Sequence, residues 1–544
     1  MKKKFYLLLF ASLLGFGSCS NYLDPQPHDR LSEIVAWSSV KNANLYIDGF
    51  YSYLPGYSIF STGQFGGSGN TDGLTDMLKY GSSAPGAGNA NLYATEPTKI
   101  SADQNAMGIW EQAYGRIRRL NEFIQGLDNF AKFDETSKLQ LKAQTLFFRG
   151  YLYYLLTMRH GSVVLLKQLT TEKNNARSPE NECWNLVAED LDFAINNLPV
   201  EWDAANQGRI TKGAALALKS RAMLYAERWE DAKVAAEAVM ALKATGAYTL
   251  NAQYKDAFKS TSLGNKESIL EVRFIRPAPV HSYDKDNCPA GDNPPPGTGA
   301  KACPTQEMVE LYDDVNGNTV NWTPWHSTTT VTPPYATLEP RFQASVLFNG
   351  ATWKGRAIEA FVGGKDGYMD YAYEAYPNGK STTGYFLKKY LDETNRNVTN
   401  QSSVQTLVLI RYAEVLLNYA EACYHLNRFD LANDAIRQIR TRVGLPYTDL
   451  TGNVLFEKIR KERKTELAFE GHNYWDIRRW KLGMNELNNR RLHALKITKS
   501  VTTFTYQYVE CDNKDRKFLD RLNHFPIPTS EISNNTACNQ IDLW

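Results

Sequence analysis

Between positions 105 and 160 apolar residues recur every three or four places. Trp110, Tyr114, Ile117 and Ile124 share one face with Asn121; Leu139, Ala143, Phe147, Tyr151 and Tyr154 repeat the pattern. This spacing predicts two amphipathic helices joined near Phe133 and Asp134. Ser178 followed by Pro179 predicts another start, with serine as cap and proline in the first turn. That helix carries Trp184, Val187, Leu191 and Ile195 and stops at Pro199. Two more are predicted over 211–226 and 229–242. Beyond 405 an apolar stripe (Leu409, Ala413, Leu416, Ala420, Cys423) opposes a polar one (Arg411, Glu414, Asn418, Glu421). A last long helix is predicted over 453–471, with Gly471 as its C-cap.

Two of these segments resemble each other. Arg228-Trp229-Glu230-Asp231-Ala232 returns as Arg428-Phe429-Asp430-Leu431-Ala432, and Ala222 matches Ala422 at the same offset. A small residue, a helix end, an aromatic and then alanine is the packing pattern of a tetratricopeptide-like helix–turn–helix unit. Residues 251–405 separate the copies. They are rich in Pro, Gly, Thr, Asn and aromatics, and only 306–312 has a helical period. This insertion reads as loops with short strands. A glycine-rich stretch over 61–93 is a second loop region. The predicted fold is therefore mostly α: helical parts over 19–250 and 406–544 around a loop-rich insertion at 251–405.

With 43% apolar and 22% charged residues the composition is that of a globular protein. Lys plus Arg number 61 and Asp plus Glu 59, so the net charge is +2. That balance lacks the basic excess of a nucleic-acid binder. The chain opens with Lys2, Lys3 and Lys4 and an apolar run from Phe5 to Gly17, too short to span a bilayer. This reads as a signal peptide over 1–18. Ser18 directly before Cys19 resembles the lipobox of bacterial lipoproteins, which implies lipidation of Cys19 and a mature chain 19–544 that is tethered rather than spanning; a plain signal peptide with an incidental cysteine is the alternative. The other cysteines form no CxxC and have no histidine at zinc spacing. Cys288 and Cys303 flank a Pro/Gly-rich loop and are the expected disulfide. Cys183 and Cys423 fall in helical patterns and are expected as buried thiols.

Glu462, Glu466 and Glu470 stack on one helix face. They read as partners of arginines such as Arg460, Arg463, Arg478 and Arg479 rather than as acid–base catalysts. Asp284, Asp286, Asn287 and Asp292 offer oxygen ligands of the type Ca²⁺ takes, yet without EF-hand spacing, so they read as polar loop residues and Ca²⁺ stays open. There is no HExxH, no phosphate loop and no Gly-x-Ser-x-Gly elbow. No metal, cofactor or nucleophile is expected, and the chain is not expected to be an enzyme. What stands out is the aromatic content: 31 Tyr, 24 Phe and 11 Trp. Rings on loops can stack on the C–H faces of sugars while Asn, Asp and Arg take the hydroxyls. The ligand-binding candidates are Trp322 and Trp325 first, then Tyr283, Tyr335 and Trp353 in the insertion, with Tyr80 and Tyr93 in the early loop.

Taken together, the residues resemble the SusD/RagB family of outer-membrane nutrient-binding lipoproteins. The carrying stretches are Cys19-Ser20-Asn21-Tyr22-Leu23-Asp24-Pro25, the set Trp110, Tyr114, Ile117 and Asn121, and Phe147-Phe148-Arg149-Gly150-Tyr151. Pro304-Thr305-Gln306-Glu307-Met308-Val309, Ile410-Arg411-Tyr412-Ala413-Glu414 and Phe525-Pro526-Ile527-Pro528 continue the match. Glu462-Arg463, with Glu466-Leu467 and Phe469-Glu470-Gly471, belongs to it as well. The resemblance implies a SusD-like scaffold of four helical repeats with the ligand face on irregular insertions. It also implies a lipid-anchored, cell-surface protein of the outer membrane. Such a protein caps a SusC-like TonB-dependent barrel and delivers a glycan, or sometimes a peptide, for import. A surface glycan hydrolase and an adhesive lipoprotein without a small ligand are the competing readings.

Overall fold

The computed structural model describes residues 33–57, 70–81, 92–259, 265–372 and 377–544. The expected signal segment, Cys19 and most of the glycine-rich stretch lie outside the described residues. Helix α1 is Val40–Asp48, capped where Ser39 Oγ accepts the Asn42 N–H. The first periodic stretch becomes α2, Trp110–Phe130, and α3, Glu135–His160. The break falls where Asp134 accepts the Ser137 N–H, an N-cap bond. Gly161 closes α3 in a conformation with φ of +69°. Next come α4, Glu180–Asn197, α5, Lys212–Tyr225, and α6, Trp229–Ala241. Pro179 occupies the cap of α4 itself, one place earlier than the sequence predicts. After the short α7, Gln306–Glu310, the chain returns to long helices in α8, Tyr412–His425, and α9, Phe429–Arg442. Then follow α10, Gly452–Glu466, and α11, Asn473–Arg479.

The two similar segments fold alike. Glu227 and Asn427 both take left-handed φ values, 54° and 57°, between their helices. The next N–H turns back onto the preceding helix in each copy: Arg228 to the Met223 carbonyl at 2.9 Å, Arg428 to the Cys423 carbonyl at 2.8 Å. The hairpins also touch, the Trp229 indole stacking on His425 at 3.9 Å and 13°. Asn418 of α8 donates to Ser220 of α5 at 3.1 Å.

The insertion has the predicted character, loops with short antiparallel pairs. Strand β1 (Leu78–Tyr80) pairs with β3 (Ala302–Pro304), and β2 (Ser268–Val272) with β6 (Leu407–Arg411). Strand β4 (Val346–Leu347) pairs with β5 (Phe386–Leu387). Because β2 and β6 stand near the two ends of the insertion, its beginning and end are zipped together at the helical scaffold. The longest pair, β7 (His493–Ser500) with β8 (Thr503–Glu510), follows α11 and is absent from the sequence-based expectation.

Three expectations are corrected. First, helix α10 ends at Glu466, not at Gly471; Phe469 and Gly471 both have positive φ, 65° and 81°. Second, the stacked glutamates take different partners. Glu462 is held by Arg341 at 2.9 Å and by Arg440, Glu466 by Arg411 at 2.6 Å and by Arg442, and Glu470 by Arg411 at 2.7 Å and Lys389 at 2.6 Å. The expected arginines are engaged elsewhere: Arg463 with Asp476, Arg479 with Glu421, Arg460 with Glu457, and Arg478 with main-chain carbonyls. The side chains of these glutamates and of Arg341, Lys389, Arg411, Arg440 and Arg442 are no more than 5% exposed, so the network docks the insertion onto α10 and the turn after it. Breaking one member would leave a buried charge unpaired, the costly case for such pairs.

Third, Cys288 and Cys303 are free thiols. The loop between them is closed by its backbone, with Ala300 N–H on the Cys288 carbonyl at 3.1 Å and Lys301 N–H on the Asp286 carbonyl at 3.0 Å. Each thiol turns inward onto a local carbonyl, Cys288 to Lys285 and Cys303 to Ala300, and burial raises both thiols. Cys183 and Cys423 are buried and free as well.

Candidate ligand face

Six of the seven ligand-binding candidates lie inside the protein. Tyr80, Tyr283, Trp322, Tyr335 and Trp353 are all no more than 5% exposed, and Tyr93 is buried too. The expectation that these rings are presented on loops is corrected for each: Tyr80, Tyr93, Trp322 and Tyr335 join the main core, and Tyr283 and Trp353 a second cluster inside the insertion. Tyr335 packs between Phe342 and Phe348 and hydrogen-bonds Tyr385 at 3.0 Å. Tyr283 lies edge-on to Tyr390, and the Trp353 indole donates to Asp292 at 2.9 Å. Tyr80 lies over Gly73, where a Cβ would meet its ring at 2.3 Å.

Trp325 is different. It is half-buried, and its partner Trp322 supports it edge-on at 5.5 Å. Its Nε1–H donates to the Val331 carbonyl at 2.9 Å, which fixes the ring while leaving a face outward. The loop carrying it is pinned to β8 by two main-chain bonds between Thr329 and Tyr506, at 2.9 and 2.8 Å.

Beside it stands a stack that the sequence reading missed. The Tyr508 ring lies between two imidazoles, His493 at 4.3 Å and 14° and His326 at 4.6 Å and 36°. Each imidazole is held by a glutamate of α7: His493 Nδ1 by Glu307 at 2.6 Å and His326 Nε2 by Glu310 at 2.8 Å. The hydrogen bond that the His493 imidazole donates to Glu307 raises it above its ordinary value, against the effect of partial burial. Farther along the hairpin Phe361 and Phe504 meet at 5.6 Å under the Lys499 ammonium. The alternation of Phe504, Tyr506 and Tyr508 with polar residues was the available signal: period two, with β-formers, marks a strand. The face thus combines fixed, partly exposed rings with imidazole and carboxylate hydrogen-bonding groups. It can stack on a flat apolar surface and bind hydroxyls around it.

The acidic residues proposed as calcium ligands serve the fold. Asp284 accepts from Ser403 at 2.8 Å and Asn395, Asp286 from Lys301 at 2.5 Å, and Asp292 from Lys354, Arg356 and Trp353. Among the described residues no group of three or more His, Cys, Asp or Glu is placed to hold a metal ion.

Against known proteins, the family model described as the SusD family matches residues 264–544, over half of the chain. The chain belongs to the SusD family. A second model, described as starch-binding and associating with the outer membrane, matches residues 65–224. A SusD-like protein of Bacteroides ovatus is 21% identical over 88% of this chain and 83% of its own length. Among solved structures, a SusD-like protein from Bacteroides fragilis superposes with a TM-score of 0.79 at 28% identity, covering 93% of this chain and 98% of that one. A laminarin-binding SusD-like protein superposes with a TM-score of 0.64 at 21% identity, covering 93% and 99%. The SusD fold accounts for the mostly helical scaffold with its loop-rich insertion. Among the described residues no helix is long and apolar enough to cross a membrane.

Proposed function

We propose that this SusD family member is a non-catalytic glycan receptor whose binding face is built around Trp325. The observation that carries this is the half-exposed Trp325 ring, braced by Trp322 and flanked by the His326–Tyr508–His493 stack on a pinned hairpin. The laminarin-binding relative supports a glycan as the ligand class. In this reading Cys19 carries a lipid that anchors the protein at the outer-membrane surface. From there it passes its glycan to a SusC-like TonB-dependent barrel, closing over the barrel as a lid. Stacking supplies part of the affinity, and desolvation and ordering offset much of it, so capture is weak and reversible. A ligand moves the lid only through its different affinity for the open and closed states.

Affinity electrophoresis of residues 19–544 through gels containing single polysaccharides tests the face. Retardation by one glycan, weakened about tenfold by Trp325→Ala with the fold intact, is the expected outcome. A variant that binds as well as the parent chain overturns the Trp325 face. Copurification of the tagged lipoprotein with an outer-membrane barrel tests the delivery role, and its failure to bring down any barrel would refute that role.

A further inference from the structure

Away from the Trp325 face, a cleft of about 410 Å³ opens where the ends of α3 and α5, the start of α4 and helix α11 meet Asn523 and His524. Its volume falls within the range of small-ligand sites. Trp184, Tyr225 and Trp475 form aromatic walls, and Thr157, Arg478 and Asn523 contribute polar groups. The Thr157 hydroxyl and the Asn523 side-chain oxygen are buried without a hydrogen-bond partner. Buried polar atoms normally find one.

One cation of this cleft, Arg478, has main-chain carbonyls as its hydrogen-bond partners. Arg478 is 5% exposed, and its guanidinium donates to main-chain carbonyls, Leu522 at 2.9 Å and Asn523 at 2.5 Å. Among the described residues no carboxylate pairs with it. Its neighbour Arg479 shows the usual arrangement, paired with Glu421 and Asp476. The carboxylates of the cleft are already engaged. Glu180 accepts from the Trp184 indole at 3.1 Å and lies 3.7 Å from His524, and Glu227 pairs with Lys481 at 3.1 Å. The local field follows. Burial lowers the His524 imidazole first, and Arg478, Lys481 and Arg177 lower it further against the single opposing carboxylate of Glu180. His160, behind the cleft, is held down to about 3 by burial, with Arg159 and Arg478 adding to it against its bond to the Phe525 carbonyl.

We propose that this cleft is a second binding site, for a small saccharide that carries a carboxylate. The carboxylate neutralises Arg478, the ring packs against the aromatic walls, and hydroxyls supply partners for Thr157 and Asn523. Charge-assisted bonds to a guanidinium are the strong ones, and this one forms in a partly water-excluded place. The site shares no residue with the Trp325 face, so it stands or falls separately from the proposed glycan receptor.

Calorimetric titration of residues 19–544 with D-glucuronate and with glucuronamide, which differ in charge at the same ring, is the test. Glucuronate is expected to bind at least about tenfold tighter than the amide. Arg478→Gln should abolish that preference. Because Arg478 also ties down Leu522 and Asn523, Lys481→Glu tests the site independently. Its side chain is 76% exposed, so the fold is kept. It should weaken glucuronate several-fold, leave glucuronamide unchanged, and lose its effect as salt is raised. Trp325→Ala should change neither. Equal affinity for the two sugars, no heat from either at millimolar concentration, or acetate binding as well as glucuronate overturns the proposal.

Discussion

Burial and pairing pull the same kind of side chain in opposite directions in this protein. Burial raises Glu462 and Glu470, yet Arg341, Lys458 and Arg440 around the first and Arg411 and Lys389 around the second outweigh it, holding both at about 2 against 4.5 unpaired. Their stabilising effect is complete above pH 4.5 and is lost as pH falls towards 2. His160 and His472 behave differently. Burial, the larger cause for both, holds them neutral with values of about 3 and 4 against 6.5 in the open chain. The unfolded chain takes up those protons first, so stability declines as pH falls from 6.5 to 4. Thermal melts at steps across this range should show Tm falling from pH 6.5 onward and more steeply below 4.5. A Tm flat down to pH 4 would contradict the histidine assignment. The sequence made the stacked glutamates legible as a charge network, since i, i+4, i+8 spacing is a local fact. Their partners Arg341 and Lys389 come from the insertion, and no local pattern points to them.

Among elements, the long helices were readable because each buries one continuous stripe, and α2 shows how finely that stripe is set. Gly126 lies against Trp37, and a Cβ there would come within 2.3 Å of the indole. Gly115, in the same helix, has nothing within 4 Å. Alanine is favoured over glycine by about 1 kcal/mol inside a helix, whereas overpacking costs about 1–3 kcal/mol. Gly115→Ala should therefore raise the midpoint of urea unfolding, and Gly126→Ala should lower it. The same shift in both would show that propensity, not contact with Trp37, governs the helix. The hairpin β7–β8 was legible in the alternation of Phe504, Tyr506 and Tyr508 in its second strand, but its first strand, with Lys496 and Lys499 among its residues, carries that period weakly. The candidate rings were misplaced for a related reason. Composition shows that the insertion is aromatic, but not that Tyr335, Phe342 and Tyr385 join the main core with the helices while Tyr283, Trp353 and Tyr390 form a second cluster. Of the ligand face only Trp325 was legible; Tyr508 and His493 join it through the hairpin.

For the molecule as a whole, cohesion comes from packing and buried ion pairs, with free thiols at Cys183, Cys288, Cys303, Cys423, Cys511 and Cys538. Reductant should leave Tm unchanged, and these thiols should react with a thiol reagent only after unfolding. A lowered Tm under reducing conditions would reveal a cross-link. The parts are stitched over long distances. Asn70 donates to the Phe469 carbonyl at 3.0 Å, Asp72 accepts from the Gly471 and Asn473 N–H groups, and Arg516 donates to the Thr75 carbonyl at 2.7 Å. Strand β1 meanwhile waits for β3. The segment around residue 72 therefore has no place to settle until the chain near residue 516 exists. Contacts of such separation form slowly, because the intervening loop must close first. In a growing polypeptide the rings of Trp37, Tyr46 and Tyr51 can already settle on α2 and α3, while the stretch around residue 72 stays unlatched until synthesis is almost done.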